Sequence, residues 1–313
     1  MTDYRHHPAP KPEEADAACG PSVGEGCAAG AAAPRRAGGP WRVVFIAAIV
    51  VFGLAVAALA AIGVSYLMGQ RTYEQIAETG FQPNEADTLE DMQVDWDALR
   101  AINPDVVGWL YIPNTSINYP IVQADDDEYY LTHDFKGSEG WLATFGAIFL
   151  SAGNAADFSD PNNIVYGHHL NDGSMFAPIA ALGDPDAFNA TRRIYVLTPK
   201  GNYELTTFSI MHVDADDPLV QTGFADDARR MQYMQDKIDR SEVAVPDAPA
   251  ASSIKHAFAF ATCDNLLTDG RWVLFSYVSR ATAGAPGAQA ASNGPANPDD
   301  VAAVGNAAKE LAQ

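Results

Sequence analysis

Between Val43 and Met68 no charged residue interrupts a run of Val, Ile, Leu, Ala and Phe, and no polar face recurs within it. At ~1.5 Å of rise per residue the run exceeds a ~30 Å hydrocarbon core, which predicts a membrane-spanning helix over 43–68. A cleaved signal peptide is the rival reading, because small residues recur around Ala57–Ala61. The run is longer than a signal h-region, however, and starts more than forty residues into the chain. Residues 71–102 then read as a helical linker and N-terminal helix, ending in an amphipathic stretch that opens at Asp95-Trp96-Asp97 and stops before Asn103-Pro104.

After Asn103 the pattern changes to short apolar runs divided by turn residues. Val106–Ile112 and Ile117–Val122 flank Pro113-Asn114-Thr115. Further strand-like runs cover Ala147–Leu150, Asn163–Tyr166, Arg193–Leu197, Tyr203–His212, Lys255–Thr262 and Arg271–Val278. Such spacing predicts a mostly β domain, a closed or nearly closed barrel over 103–280. Two helices interrupt it. One opens around Ser174-Met175-Phe176, with Ile179 and Leu182 at helical spacing; the other runs from Asp226 to Arg240, with Met231, Met234 and Ile238 on one face. Both methionines are expected to pack against the barrel.

The two ends differ from this middle. Residues 1–40 and 281–313 are dominated by Ala, Gly, Pro and polar residues, too poor in large apolar side chains to offset ordering entropy, and are expected to be disordered tails. Arg35, Arg36 and Arg42 precede the apolar run, whereas Arg71 is followed by Glu74 and Glu78. The positive-inside rule therefore predicts a cytoplasmic N-terminus and an extracellular barrel, with Trp41 and Tyr66 at the two interfaces. A net charge of −21 with no basic stripe argues against a nucleic-acid partner.

Orientation gives the cysteines different meanings. Cys19 and Cys27 fall on the cytoplasmic side, where disulfides are rare, and Cys263 becomes the one extracytoplasmic thiol. It closes strand 255–262, with Ala257, Ala259 and Ala261 on its own face, and those small residues suggest a groove where a peptide can lie. Asp264–Gly270 is a turn, and Arg271 begins the return strand, so antiparallel pairing can bring a guanidinium beside the sulfur. Tyr166-Gly167-His168-His169 supplies an imidazole; spacing alone leaves His168 and His169 both open as the acid or base. His133, His212 and His256 read as structural strand or loop residues. A lone Cys with a distant His and Arg is the material of a thioester-forming acyl transferase. The outer part has no Cys pair and no His pair at i,i+4, so no metal is expected, and no nucleotide fingerprint calls for a cofactor.

Taken in order, these segments resemble a class B sortase, a membrane-anchored cysteine transpeptidase of Gram-positive bacteria. The resemblance covers roughly 95–280 and rests on Asn103–Leu110, Ile117–Gln123, Tyr129-Tyr130-Leu131, Gly146–Leu150, Asn163–His168, Asp172–Phe176, Val213-Asp214-Ala215, and Thr262-Cys263 with Arg271. It implies an eight-stranded sortase barrel with N-terminal helices and an extra helix before the cysteine strand, which Asp226–Arg240 fits. It implies that Cys263 attacks a sorting-signal peptide on a secreted protein, that His168 is the acid/base, and that Arg271 stabilises the oxyanion or positions substrate. Ala261, Thr262, Asp264 and Ser174 are the implied substrate-binding residues. The acceptor implied is an amine of peptidoglycan precursor. A pilin-polymerising sortase and a tethered protease using water are the alternative readings; the polar tail after 281 disfavours the first. The chain departs from the family pattern at Phe260-Ala261, where Leu-Ser is frequent, and at His169, where Asn is usual.

Overall fold

A computed structural model describes residues 39–84, 86–139, 145–214, 217, 221–263 and 270–287. The expected tails at 1–38 and 288–313, Asp264 and most of the turn that follows it lie outside those residues. The chain forms two compact units, 1–54 and 55–313. Helix α1 spans Pro40–Gly80, starting in the first unit and ending in the second. Its most apolar stretch has a mean hydropathy of 3.0 and buries nothing, so the helix is long and apolar enough to cross a membrane.

The helix runs on past the apolar stretch, and its face changes character. Tyr73, Ile76 and Gly80 are buried in the core of the second unit, and Tyr73 donates its hydroxyl proton to the Gly146 carbonyl at 2.5 Å. The described residues between Gly80 and Trp96 are not helical. Pro83 lacks the N–H a continuing helix needs, and Thr88 and Asp91 form a local turn, with the Thr88 hydroxyl 2.6 Å from the carboxylate. Helix α2 (Trp96–Ile102) starts afresh where Asp95 accepts from the Ala98 N–H at 2.9 Å.

Among the described residues eight strands close a mixed barrel. They are β1 (Val106–Tyr111), β2 (Asn118–Val122), β3 (Ile148–Leu150), β4 (Asn162–Tyr166), β5 (Arg193–Leu197), β6 (Tyr203–Val213), β7 (Ala257–Cys263) and β8 (Arg271–Ala281). The order around the barrel is β1-β2-β3-β4-β7-β8-β6-β5, with β5 returning to β1. The pairs β2/β3 and β4/β7 are parallel. Helices α3 (Tyr129–Thr132), α4 (Ala177–Ala181), α5 (Pro185–Ala190) and α6 (Asp227–Asp239) fill the connections. The short α3 and α5 carry too few residues to show a helical period, and the sequence did not announce them.

Strand β7 sorts its side chains between two cores. Phe258 and Phe260 fill the barrel with Trp109, Phe158, Phe176 and Leu274. Ala257, Ala259 and Ala261 belong to a second cluster with Ile164, Phe208, Met234 and Phe275. The expected open groove along the alanines is therefore corrected: their small size admits the layer of α6, and only Ala261, at the strand end, borders a cleft. The buried face of α6 differs from the expected Met231/Met234/Ile238 stripe as well. It holds Met234 with Arg230 and Lys237, while Met231 is half-buried. Lys237 buries its stem and sets its ammonium 4.7 Å from the Tyr233 ring centre, paired with Asp236 at 2.9 Å.

Candidate active site

Two pairings bring the distant sequence elements together. Across the antiparallel β7/β8 ladder Cys263 is in direct register with Arg271, and Thr262 with Trp272. Across the parallel β4/β7 ladder Tyr166 is in register with Ala261, and the Gly167 N–H continues it by donating to the Ala261 carbonyl at 3.2 Å. The chain leaving β4 thus delivers His168 to the end of β7 where Cys263 lies. Chain ends of central strands are where a barrel can present chemistry without opening its core.

The imidazole is held from two sides. Its Nε2 lies 2.6 Å from the Leu131 carbonyl oxygen. A carbonyl only accepts, so Nε2 carries the proton, and in the neutral ring Nδ1 keeps the free lone pair. Leu131 belongs to α3, which is braced from below: Asn103 donates to the Tyr130 hydroxyl and the Phe135 carbonyl, both at 2.9 Å, and Tyr130 donates to Asp105 at 2.8 Å. Gly146 closes the other side at a φ of +55°, where a Cβ would stand 2.7 Å from His168 Cδ2. Both facts select glycine there.

His168, Thr262, Ala261 and Arg271 line one cleft of about 300 Å³, walled by Leu131, Phe149 and Tyr166. Thr262 is 3% exposed, and its hydroxyl has no hydrogen-bond partner among the described residues. Burial pushes the Tyr166 phenol up to about 12; the nearby Asp127 carboxylate adds to that and Arg271 opposes it.

Other expected site residues are distributed differently. Ser174 lines a separate hollow of about 420 Å³ with Gln70, Tyr119 and Asp172, and donates to Asp172 at 2.6 Å. His256 is buried among Tyr203 and Phe258, where desolvation lowers it to about 4. His133 stacks on Tyr129 at 4.0 Å, and His212 packs on Trp272 at 4.8 Å. His169 pairs its backbone with Met175. Among the described residues His168 borders the cleft, and these four histidines do not. Among the described residues no cluster of three His, Cys, Asp or Glu side chains is arranged for a metal.

Asp127 was missed. It lines the same cleft as Arg271, its carboxylate accepting from Ser151 Oγ at 2.9 Å and the Ala152 N–H at 2.6 Å. In the chain it is one of four consecutive acidic residues, Asp125–Glu128, ordinarily a solvated loop, and only its place before Tyr129-Tyr130-Leu131 hinted at more.

A closed mixed barrel with a cysteine ending one strand, an arginine in register and a histidine delivered alongside defines the sortase class. No model of a known protein family matches the chain. Sortase B of Listeria monocytogenes serovar 1/2a is 33% identical over 166 residues, a match spanning 53% of this chain and 65% of that protein's length. The solved structure of sortase B from Listeria monocytogenes is 31% identical, with a TM-score of 0.51, covering 57% of this chain and 98% of that one. Sortase B from B. anthracis is 26% identical with a TM-score of 0.59, covering 69% and 98% respectively. The chain belongs to the class B sortases. Sortases are cysteine transpeptidases.

Proposed function

We propose that this chain cleaves a sorting-signal peptide on secreted proteins through a thioester on Cys263 and transfers the acyl part to an amine of peptidoglycan precursor. The observation that carries the reading is the register of Cys263 with Arg271 beside a cleft that His168 borders. In the first half-reaction the Cys263 sulfur bonds to the substrate carbonyl carbon, and the electron pair moves to the oxygen. Arg271 balances that charge. Collapse breaks the C–N bond, with a proton from imidazolium His168 going to the leaving amine. Neutral His168 then takes a proton from the incoming amine, whose nitrogen replaces sulfur at the carbon.

Thr262 and Ala261 contact the bound peptide at the cleft floor, and Asp264 flanks it; Ser174, which lines the other hollow, acts there on a remote part of the substrate. Helix α1 anchors the chain with its N-terminus in the cytoplasm and the barrel outside, beside lipid-linked precursor and newly exported protein.

The test uses the full chain in detergent micelles, incubated with a sorting-signal peptide library with and without oligoglycine or a diaminopimelate-type amine, read by mass spectrometry. The reading requires amine-dependent ligated product that vanishes in Cys263→Ala. Hydrolysis indifferent to every amine would instead make it a tethered protease.

A further inference from the structure

The two supports of His168 converge on one phenol oxygen. Tyr73 lies on the part of α1 that follows the apolar run, is 5% exposed, and donates its hydroxyl proton to the Gly146 carbonyl at 2.5 Å. The same oxygen accepts the Phe135 N–H at 3.2 Å. Gly146 is the residue whose backbone faces the imidazole: a Cβ there would stand 2.7 Å from His168 Cδ2 and 3.0 Å from Nε2. Phe135 ends the short stretch after α3, the helix whose Leu131 carbonyl accepts the Nε2 proton. The supports are also joined to each other, because the Ala147 N–H donates to the Tyr130 carbonyl at 3.1 Å.

The phenol is suited to hold both. Burial pushes Tyr73 far above the ordinary tyrosine range and the Phe135 N–H only partly offsets it, so the hydroxyl keeps its proton for the Gly146 carbonyl at every working pH. The ring is fixed independently of the hydroxyl, edge-on to Tyr119 with 5.5 Å between centres and stacked on Phe145 at 6.3 Å. A fixed ring gives the oxygen one position, and the two bonds pass that position to the segments around the imidazole. Such precision matters to a proton-transfer group, since a misplacement of about 1 Å can cost on the order of 10²-fold in rate.

We propose that Tyr73 is a positioning residue for the acyl transfer: its two hydrogen bonds hold the Gly146 backbone and the chain after α3 against His168, and so keep the imidazole in one place and one tautomer. The inference rests on the reading of His168 as acid and base, and adds the residue that aims it. Tyr73 is not among the residues that line the cleft, so it acts through His168 and not on the peptide. The helix that carries the apolar run thereby becomes part of the active site's support. The competing role is that of a core strut, whose loss costs stability alone.

The test compares the native full chain in detergent micelles with three variants. Tyr73→Phe keeps the ring and removes only the hydroxyl. Replacing Tyr73 by 4-aminophenylalanine restores a donor at the same ring position. Ile76→Val thins a buried contact of the same helix and keeps both hydrogen bonds. Each is read by kcat and KM with one peptide and amine from the screen above, and by nitrogen NMR of histidine-labelled protein, with His168 assigned by its loss in His168→Ala. Tyr73→Phe is expected to lower kcat by about five- to thirtyfold with KM within about twofold, part of what a positioned acid or base contributes. Its His168 signal should change from the Nε2–H form to a mixture of tautomers. The amino group should recover most of both, and Ile76→Val should leave kcat within about twofold. A Tyr73→Phe chain with native kcat and native tautomer overturns the proposal. So does a loss matched by Ile76→Val or left unrepaired by the amino group, since either assigns it to packing. If the native chain transferred no acyl group, the transpeptidase reading would fall, and the tautomer would by itself decide the link from Tyr73 to His168.

Discussion

Cys263 and Arg271 are direct partners on the rung that joins the end of β7 to the start of β8. Any turn between them, whatever its path, leaves the cation-bearing residue opposite the thiol-bearing one, because the ladder below is continuous from Ala257↔Tyr277 onward. Arg271→Ala is expected to slow acylation by about 10²–10³-fold, the scale for removing one donor to a developing oxyanion. Arg271→Lys should recover only part of it, since an ammonium lacks the planar fork. Single-turnover acylation followed by intact mass spectrometry decides this, and an Arg271→Ala enzyme of undiminished rate would remove the residue from the chemistry.

His168 borders the cleft and His169 does not. His168→Ala should therefore reduce turnover by about 10²–10⁴-fold, the usual contribution of a positioned acid or base. His169→Ala should cost less than about threefold, the range of a substitution that touches no reacting group. Steady-state transpeptidation with one peptide and one amine checks both. The opposite ranking would mean that the adjacent imidazole carries the proton.

Gly146 supports His168 without touching substrate. A methyl group there would stand 2.7 Å from the imidazole Cδ2 and 2.9 Å from the Tyr130 carbonyl, on backbone with φ of +55°. Gly146→Ala should lower kcat by about tenfold with KM little changed, because a shifted general acid misses its proton transfer while the peptide cleft persists. It should also cost about 1 kcal/mol of stability through left-handed strain. A parallel rise in KM would point instead to a collapsed cleft.

Burial holds His256 neutral, down to about 4 against 6.5 in an open chain. Between those values the unfolded chain binds the extra proton and the folded chain does not, so stability is complete above pH 6.5 and is lost as pH falls toward 4. The full loss from this group is about 3 kcal/mol. Urea unfolding at stepped pH should show a steeper decline for the wild type than for His256→Gln across that window. Parallel slopes would assign the acid sensitivity to other groups.

Local pattern carried much of the architecture. Arg193–Leu197 was bounded to the residue, and the remaining strands were found within a few residues at either end, because alternation and turn residues are properties of short segments. Cys263, Arg271 and the adjacent pair His168-His169 stood out by residue type and neighbours, before any contact was known. Where the local signal was weak it misled: the alanines of β7 looked like a groove, since smallness reads the same whether it makes room for a ligand or for a helix. The α6 face was misjudged because its buried positions include Arg230 and Lys237, whose charges hide a face that packs through aliphatic stems.

What the chain spells out locally, then, is the apolar helix, the succession of strands and the chemical types available for catalysis. Only barrel closure decides which of those types meet. The parallel β4/β7 pairing joins His168 to a strand end some ninety residues later, and the loop before α3 turns Asp127 from one of four acidic neighbours into a carboxylate that lines the cleft. Both depend on contacts between segments far apart in sequence, formed because the whole sheet must satisfy its edges and bury two faces at once. No window of residues short enough to show periodicity contains that constraint.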